Sequence, residues 1–286
     1  MKYRHVHHAG NFADVHKHVT LLALLAALKR KEKGFLYLET HAGRGAYDLS
    51  GSPGESANGI GRLERKPAAE AAVPAHADEL HDYTARVALL RRERGEPRLY
   101  PGSPLLAASE LRPQDRGVFI ERVPAEARAL ERALPHSAAA GRLRVETGDG
   151  FALLRAWLPP PERRGLIFID PPYEESREDF ARVRQAAAEV LRRFRTGVVA
   201  IWYPVKDERD TAAWRDTLGG ELDCELLAGE LTLYPSDSRV ALNGSGMLIL
   251  NPPYQLAERM RSWLPELHAR LDLGHGGGAS VRCLNG

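Results

Sequence analysis

Seven short apolar runs, each closed by a polar or Gly/Pro turn, dominate this sequence. They are FLYLET (35–40), GVFIER (117–122), RLRVETGD (142–149), GLIFID (165–170), GVVAIWY (197–203), ELTLY (230–234) and GMLILN (246–251). Ala/Leu/Arg/Glu stretches with helical spacing separate most of them, such as EARALERAL (126–134) and DFARVRQAAAEVLRRF (179–194). Strands that are apolar throughout are buried on both faces, and their alternation with helices implies a mostly parallel sheet covered on both sides. The expected class is α/β, a doubly wound seven-stranded sheet with helices on both faces. Ligands of such sheets sit at the carboxyl ends of the strands. The chemistry is therefore sought just after each run.

One region breaks the rhythm. From about Asp48 to Ser103 a Gly/Ser/Pro-rich turn (SGSPGESANG) leads into charged helical sequence without a strand, and LYPGSP returns the chain. We read 48–103 as a small helical insertion, with 1–47 and 104–286 forming the main domain and a helix restarting near Pro104. The tail after Leu273 (GHGGGAS) reads as a flexible loop before a last short strand or a frayed end. No run is long and apolar enough to span a bilayer, and the polar, His-rich start is unlike a secretory signal. Two cysteines far apart, Cys224 and Cys283, exclude a disulfide scaffold or a cysteine zinc knuckle and fit a reducing cytoplasm. A formal charge of +2 says little about partners, but KRKEK (29–33), RLERK (62–66), RRERGEPR (91–98) and RRFR (192–195) are local basic clusters. They read as solvated helix faces or as phosphate contacts.

The strand ends carry the candidates. FLYLET runs into HAGRG, where Gly43 and Gly45 allow a tight turn and close approach of a ligand. The turn lacks the GK[ST] of a phosphate-binding loop and, with Asp48 at the third glycine position, the full dinucleotide fingerprint. Glu121 closes GVFIER, where an acid suits a ribose diol. Asp149 and Gly150 follow the third run, where a carboxylate could take an adenine amino group or simply make an Asp-Gly turn. The most specific stretch is IFIDPPYEE. Pro171 and Pro172 stiffen the chain, so that the Asp170 carboxylate and the Pro171 carbonyl converge beside the flat ring of Tyr173. This suits a planar base whose exocyclic amine is held by two acceptors while the ring stacks on it. Holding both amine hydrogens localises the nitrogen lone pair for attack on an electrophilic methyl.

The order of glycine turn, acid, Asp149 and DPPY resembles the class I S-adenosylmethionine-dependent methyltransferases, and among them the amino-methyltransferases with a [DNS]PP[YFW] motif. YRHVHHAGNFADVHKH, LYLETHAGRGAYDL, LYPGSP, GLIFIDPPYE, WYP and a late NPPY together look like the bacterial 23S ribosomal RNA adenine-N6 methyltransferases, over nearly the whole chain from Tyr3. The resemblance implies a Rossmann-like domain with a helical insertion and S-adenosylmethionine as cofactor. It implies that Lys17, His18, His41, Gly43, Ser103, Glu121, Asp149, Gly150 and Asp170 bind the cofactor. Asp170, with Pro171 and Tyr173, would be catalytic, and Tyr3 and Tyr173 would touch RNA. The partner would be 23S rRNA, protein-free or early in assembly, and the protein a cytoplasmic monomer without an obligatory metal. One departure is visible: Glu39-Thr40-His41 opens the glycine turn without the usual aromatic residue, leaving Glu39 near the sulfonium or amino group without a fixed role.

The histidines at 5, 7, 8, 16 and 18 lack an HExxH or cysteine partners, so metal ligation is disfavoured. NFADVHKHVTLLALLAAL reads instead as a helix capped by Asn11 that packs across the cofactor cleft, with Val19–Leu28 on the core and Lys17 and His18 toward the pocket. The remaining histidines are structural or meet RNA phosphate. NPPY at 251–254 comes too late in the order and reads as a stiff strand exit. The alternatives are a DNA adenine-N6 or cytosine-N4 methyltransferase, which needs a larger recognition domain than 48–103, or a non-catalytic RNA-binding module with this fold. A hydrolase built on the N-terminal histidines is more distant.

Overall fold

The structure is a computed structural model that describes residues 8–50, 54–65, 78–135, 141–174, 176–235, 238 and 242–284. Tyr3, His5 and His7 lie outside the described residues. The chain enters through α1 (Phe12–Lys29) and runs into β1 (Leu36–Glu39) and β2 (Ala46–Asp48). A 3-10 turn (Glu55–Asn58), α2 (Ile60–Leu63) and α3 (Asp78–Arg94) precede β3 (Leu99–Pro101) and α4 (Ser103–Glu110). Next come β4 (Arg116–Glu121), α5 (Pro124–Ala133), β5 (Arg142–Thr147), α6 (Gly150–Trp157), β6 (Gly165–Ile169) and α7 (Ser176–Arg193). The chain closes with β7 (Val198–Val205), α8 (Glu208–Glu221), β8 (Leu226–Thr232), β9 (Gly244–Leu250), α9 (Leu256–Leu271) and β10 (Gly278–Leu284).

The main sheet has the order β10-β8-β9-β7-β6-β1-β4-β5. The five strands from β5 to β7 pair in parallel, and β9 is antiparallel to both β7 and β8. Successive residues of the central strands bury on opposite faces. Leu36 and Leu38, Val118 and Ile120, and Ile167 and Ile169 belong to the core under α6, α7 and α8. Phe35 and Tyr37, Phe119, and Leu166 and Phe168 belong to the core shared with α1, α4 and α9. Both faces need apolar residues, which is why these runs do not alternate. β4 lies on one side of β1 and β6 on the other. The order therefore reverses at β1 and leaves a crevice above its carboxyl end.

The structure departs from the sequence expectation in three places. The sheet has eight strands, not seven: β10 pairs antiparallel with β8 along its whole length. Its sequence, GASVRCL, carries little apolar signal and becomes a strand by satisfying the exposed edge of β8. The strand expected at 230–234 is β8 at Leu226–Thr232. Glu230 looked like a strand start, yet it is buried mid-strand and held by the Tyr203 hydroxyl at 2.8 Å and by Arg215. The stretch read as strandless contains β3, which pairs with β2 through Tyr47 opposite Tyr100. Three-residue strands are too short to show a period. Leu80, Tyr83, Val87 and Leu90 of α3 bury in the same core as α1.

The N-terminal helix forms as expected. Asn11 is its N-cap, accepting the Asp14 amide at 2.9 Å, and nearly every residue from Phe12 to Leu25 is buried. At the far end of β9, Asn251 has φ +51 and donates its side-chain amide to the Arg195 and Gly197 carbonyls, 2.8 and 2.9 Å away. Because β9 runs antiparallel, NPPY lies at the end of the sheet opposite the crevice, where it ties β9 to the start of β7.

The buried Arg215–Glu230 pair gives a stability prediction. Arg215→Met leaves a carboxylate buried without its cation, which costs about 3–5 kcal/mol. Thermal denaturation should show a midpoint lowered by about 10 °C; an unchanged midpoint would mean that the pair does not hold β8 to α8.

Candidate active site

Four strand ends and one helix supply the side chains around the crevice. At the end of β1, Glu39 is fully buried and accepts hydrogen bonds from the Tyr37 hydroxyl, at 2.9 Å, and from Ser103 at the start of α4. Burial pushes its pKa up to about 8 against the pull of these donors. The glycine turn follows. Gly43 has φ +64, and its amide donates to Glu121 Oε2 at the end of β4, 2.8 Å away. The other Glu121 oxygen accepts the Val123 amide at 2.7 Å. A carboxylate anchored through one lone pair on each oxygen keeps the others for a ligand.

Asp149 caps α6, its Oδ1 accepting the Phe151 and Ala152 amides at 3.0 and 3.1 Å. Its Oδ2 takes Arg182 of α7 at 2.7 Å. Partial burial raises its pKa, but Arg182 and the two amides outweigh this and hold it below the usual value. Gly150 has no room for a side chain: a Cβ there would lie 1.9 Å from the Thr40 carbonyl. The start of α6 thus sits against the exit of β1. His41 binds Thr40 Oγ1 at 2.8 Å and packs edge-on to Phe151 with centroids 4.8 Å apart. Burial lowers its pKa to about 4, so it is neutral.

Asp170 follows β6 and meets α1 through Lys17. The Lys17 ammonium lies 2.6 Å from Asp170 Oδ2 and 2.8 Å from Asp14 Oδ1. Burial alone would lower the Lys17 pKa, but the two carboxylates raise it well above the ordinary value. Ile169 is level with Ile201, so Asp170 is level with Trp202 of β7. The half-buried Trp202 ring lies 5.7 Å from the Lys17 ammonium.

The expected residues fall into two groups. Lys17, Gly43, Ser103, Glu121, Asp149, Gly150, Asp170 and His41 all gather at the carboxyl ends of β1, β4, β5 and β6. His18 is turned elsewhere: it is buried, binds the Tyr100 hydroxyl at 2.9 Å and stacks on that ring 5.7 Å away. Tyr173, with φ +51, differs from the expectation of an open stacking face. Its ring is 3 % exposed and packs on Phe180 and Trp202 at 4.7 and 5.7 Å, and its hydroxyl donates to the Trp202 carbonyl at 2.8 Å. The ring open beside Asp170 is Trp202, which sequence reasoning passed over inside an apolar strand. Its signal was the position of WYP at the end of that run. Asp14 was missed too, although its spacing to Lys17 at i, i+3 is visible. Among the described residues no group of three or more His, Cys, Asp or Glu could hold a metal ion, and His8 lies 2.9 Å from Glu55. No described helix is long and apolar enough to cross a membrane.

A sheet reversing at β1, a glycine turn after its first strand and an acid after each of four strands define the class I methyltransferase architecture. The family described as ribosomal RNA large subunit methyltransferase D, RlmJ, matches residues 32–284, and the chain belongs to it. It is 40% identical to ribosomal RNA large subunit methyltransferase J of Escherichia coli (strain K12), over 98% of each chain. It is 39% identical to the protein of that name from Haemophilus influenzae, over 93% of this chain and 92% of that one. A crystal structure of protein LPL1258 from Legionella pneumophila has the same fold, with a TM-score of 0.84 and 34% identity over 97% and 99% of the two chains.

Glu39 makes stability depend on pH. Its folded pKa of about 8 lies above the ordinary 4.5, so its contribution is full below 4.5 and is lost as pH rises through 8. Melting curves should show the wild-type protein losing stability across this window relative to Glu39→Gln. Parallel pH curves for the two proteins would contradict the burial of a protonated Glu39.

Proposed function

We propose that this protein transfers the methyl group of S-adenosylmethionine to the exocyclic N6 of one adenine in 23S ribosomal RNA. The observation that carries the reading is Asp170, the first residue of DPPY, held at the crevice beside an open indole and a buried lysine. The relatives named as ribosomal RNA large subunit methyltransferases supply the substrate class.

The residues present fit the cofactor. S-adenosylmethionine supplies a methyl already activated by a sulfonium, so the reaction needs no metal. Its positive charges suit the Asp170 carboxylate at the crevice, and a cation bound near the buried Glu39 favours the charged form of that acid. Glu121 is placed to accept the ribose diol, and Asp149 with Gly150 the adenine end, where the missing Cβ lets the backbone approach closely. Lys17, the cation held between Asp14 and Asp170, suits the methionyl carboxylate. His41 and Ser103 line the turn, and Lys17 also keeps Asp170 in place until the base arrives. The target adenine, unpaired or flipped, lies against Trp202, with Tyr173 bracing that ring from its carbonyl side. Asp170 and the Pro171 carbonyl accept the amine hydrogens and aim the nitrogen lone pair along the line of displacement. Asp170 is thus an orienting acceptor, and takes the proton only after the nitrogen has become cationic. His18 supports the site through Tyr100, and Tyr3, outside the described residues, is placed on the RNA by resemblance.

The crevice is acidic, so RNA phosphates must be held away from it; the basic clusters at 29–33 and 192–195 lead into the starts of β1 and β7 at the opposite end of the sheet, where Lys29, Arg192, Arg193 and Arg195 pair with acids. A monomer acting in the cytoplasm on protein-free or early-assembly RNA completes the reading. A DNA methyltransferase of the same chemistry is the competing case, and the modest 48–103 segment speaks against it.

Asp170→Ala should retain measurable S-adenosylmethionine binding by calorimetry while its single-turnover rate on 23S RNA at saturating cofactor falls about 10²-fold or more. Full turnover in this variant would sink the assignment.

A further inference from the structure

Three side chains from three elements meet on the α1 face of the sheet beside Asp170. Trp202 lies opposite Met247 and Pro204 opposite Ser245 in the β7–β9 ladder. Ser245 is therefore a diagonal neighbour of Trp202 on the same face, within reach of a long side chain. The indole Nε1 lies 2.9 Å from Ser245 Oγ, and His16 Nδ1, coming down from α1, lies 3.0 Å from the same oxygen. Ser245 and His16 are both fully buried. The surrounding face is apolar, with Met247, Trp263 and Leu264 in the core.

A hydroxyl and an imidazole in such a place are costly unless they bond to each other or to something else. The direction of the indole bond follows from the group. An indole N–H can only donate, so Ser245 Oγ accepts it. His16 Nδ1 bonds to the same oxygen, taking the serine hydrogen in one tautomer and donating to the second lone pair in the other. Burial holds the His16 pKa down at about 3, so the ring is neutral; it packs beside the Trp263 ring at a centroid distance of 6.1 Å. The chain of hydrogen bonds runs from Trp202 through Ser245 to His16. It ends next to Lys17, the residue that holds Asp170.

We propose that Ser245 and His16 are positioning residues for methyl transfer, which fix the plane of the Trp202 indole beside Asp170 so that the target base meets the carboxylate edge-on with its amine. This rests on the functional reading above, in which the base lies against Trp202. Without the tether the indole is free to turn about its Cβ–Cγ bond, and displacement of a reacting group by about 1 Å costs up to about 10²-fold in rate. A serine and a histidine there only for packing would act on stability and not through the indole N–H.

The test uses Ser245→Ala, His16→Leu and Trp202→Phe in the full chain, alone and combined. Trp202→Phe keeps a ring and removes the donor. Each single variant should lower kcat on 23S RNA about tenfold and leave the Kd for S-adenosylmethionine within twofold of wild type. Adding Ser245→Ala or His16→Leu to Trp202→Phe should cause no further loss. The indole N–H resonance that Trp202→Phe removes from the NMR spectrum should shift in Ser245→Ala. Full kcat in Trp202→Phe overturns the proposal, as does an undiminished further loss when Ser245→Ala is added, or an unmoved indole resonance. The NMR comparison of wild type with Trp202→Phe stands even if Ser245→Ala fails to fold, because a tethered N–H exchanges slowly with solvent and an untethered one does not. A wild-type protein that methylates no RNA fails the functional reading itself; an active one with additive losses fails only the positioning.

Discussion

The ion triplet Asp14–Lys17–Asp170 is the interaction on which the arrangement of the site depends. All three charges are largely removed from water. An isolated buried ion costs several kcal/mol, and each carboxylate is tolerable because the Lys17 ammonium lies within 3 Å of it. The consequence is mechanical. α1 cannot leave the sheet without exposing the triplet, and Asp170 cannot lose Lys17 without becoming a lone buried carboxylate. Docking of the first helix and assembly of the crevice are therefore a single event.

The same helix explains why polar residues interrupt one of the most apolar stretches of the chain. His16, Lys17 and His18 are consecutive, so on a helix they point about 100° apart. Each reaches a different element: His16 meets Ser245 of β9, Lys17 meets the end of β6, and His18 meets Tyr100 of β3. Three directed bonds fix the rotation of α1 about its axis, which apolar packing alone sets only loosely. The electrostatics have a matching logic. Acids cluster at the carboxyl ends of the strands, facing a cationic cofactor, while arginine-rich helix ends lie away from the crevice. Net charge near zero hides this separation.

Much of the fold was legible because a buried parallel sheet writes itself as continuous apolar runs, and the central five strands fell where those runs stood. What was not legible came from tertiary partners. β8 contains a buried glutamate that only Arg215 and Tyr203 make tolerable, so its start was misplaced. β10 has no apolar run because its reason to exist is the edge it covers. In the site, Glu121, Asp149 and Asp170 could be picked out because each ends a strand. The turning of Tyr173 into the core could not, since it depends on the Trp202 carbonyl across the β6–β7 gap. Trp202 itself read as one more apolar strand residue, and its role emerges only from its level with Asp170. Asp14 lay in view beside Lys17, but a charge pair on a helix is ordinarily a solvated one.

The most direct test is to incubate the protein with methyl-labelled S-adenosylmethionine and 23S RNA lacking its natural modifications, beside duplex DNA, and to digest each product to nucleosides. Label recovered as N6-methyladenosine from the RNA alone is the result expected of DPPY chemistry on this substrate. Label in DNA, in protein, or in a ribonucleoside other than N6-methyladenosine would contradict it.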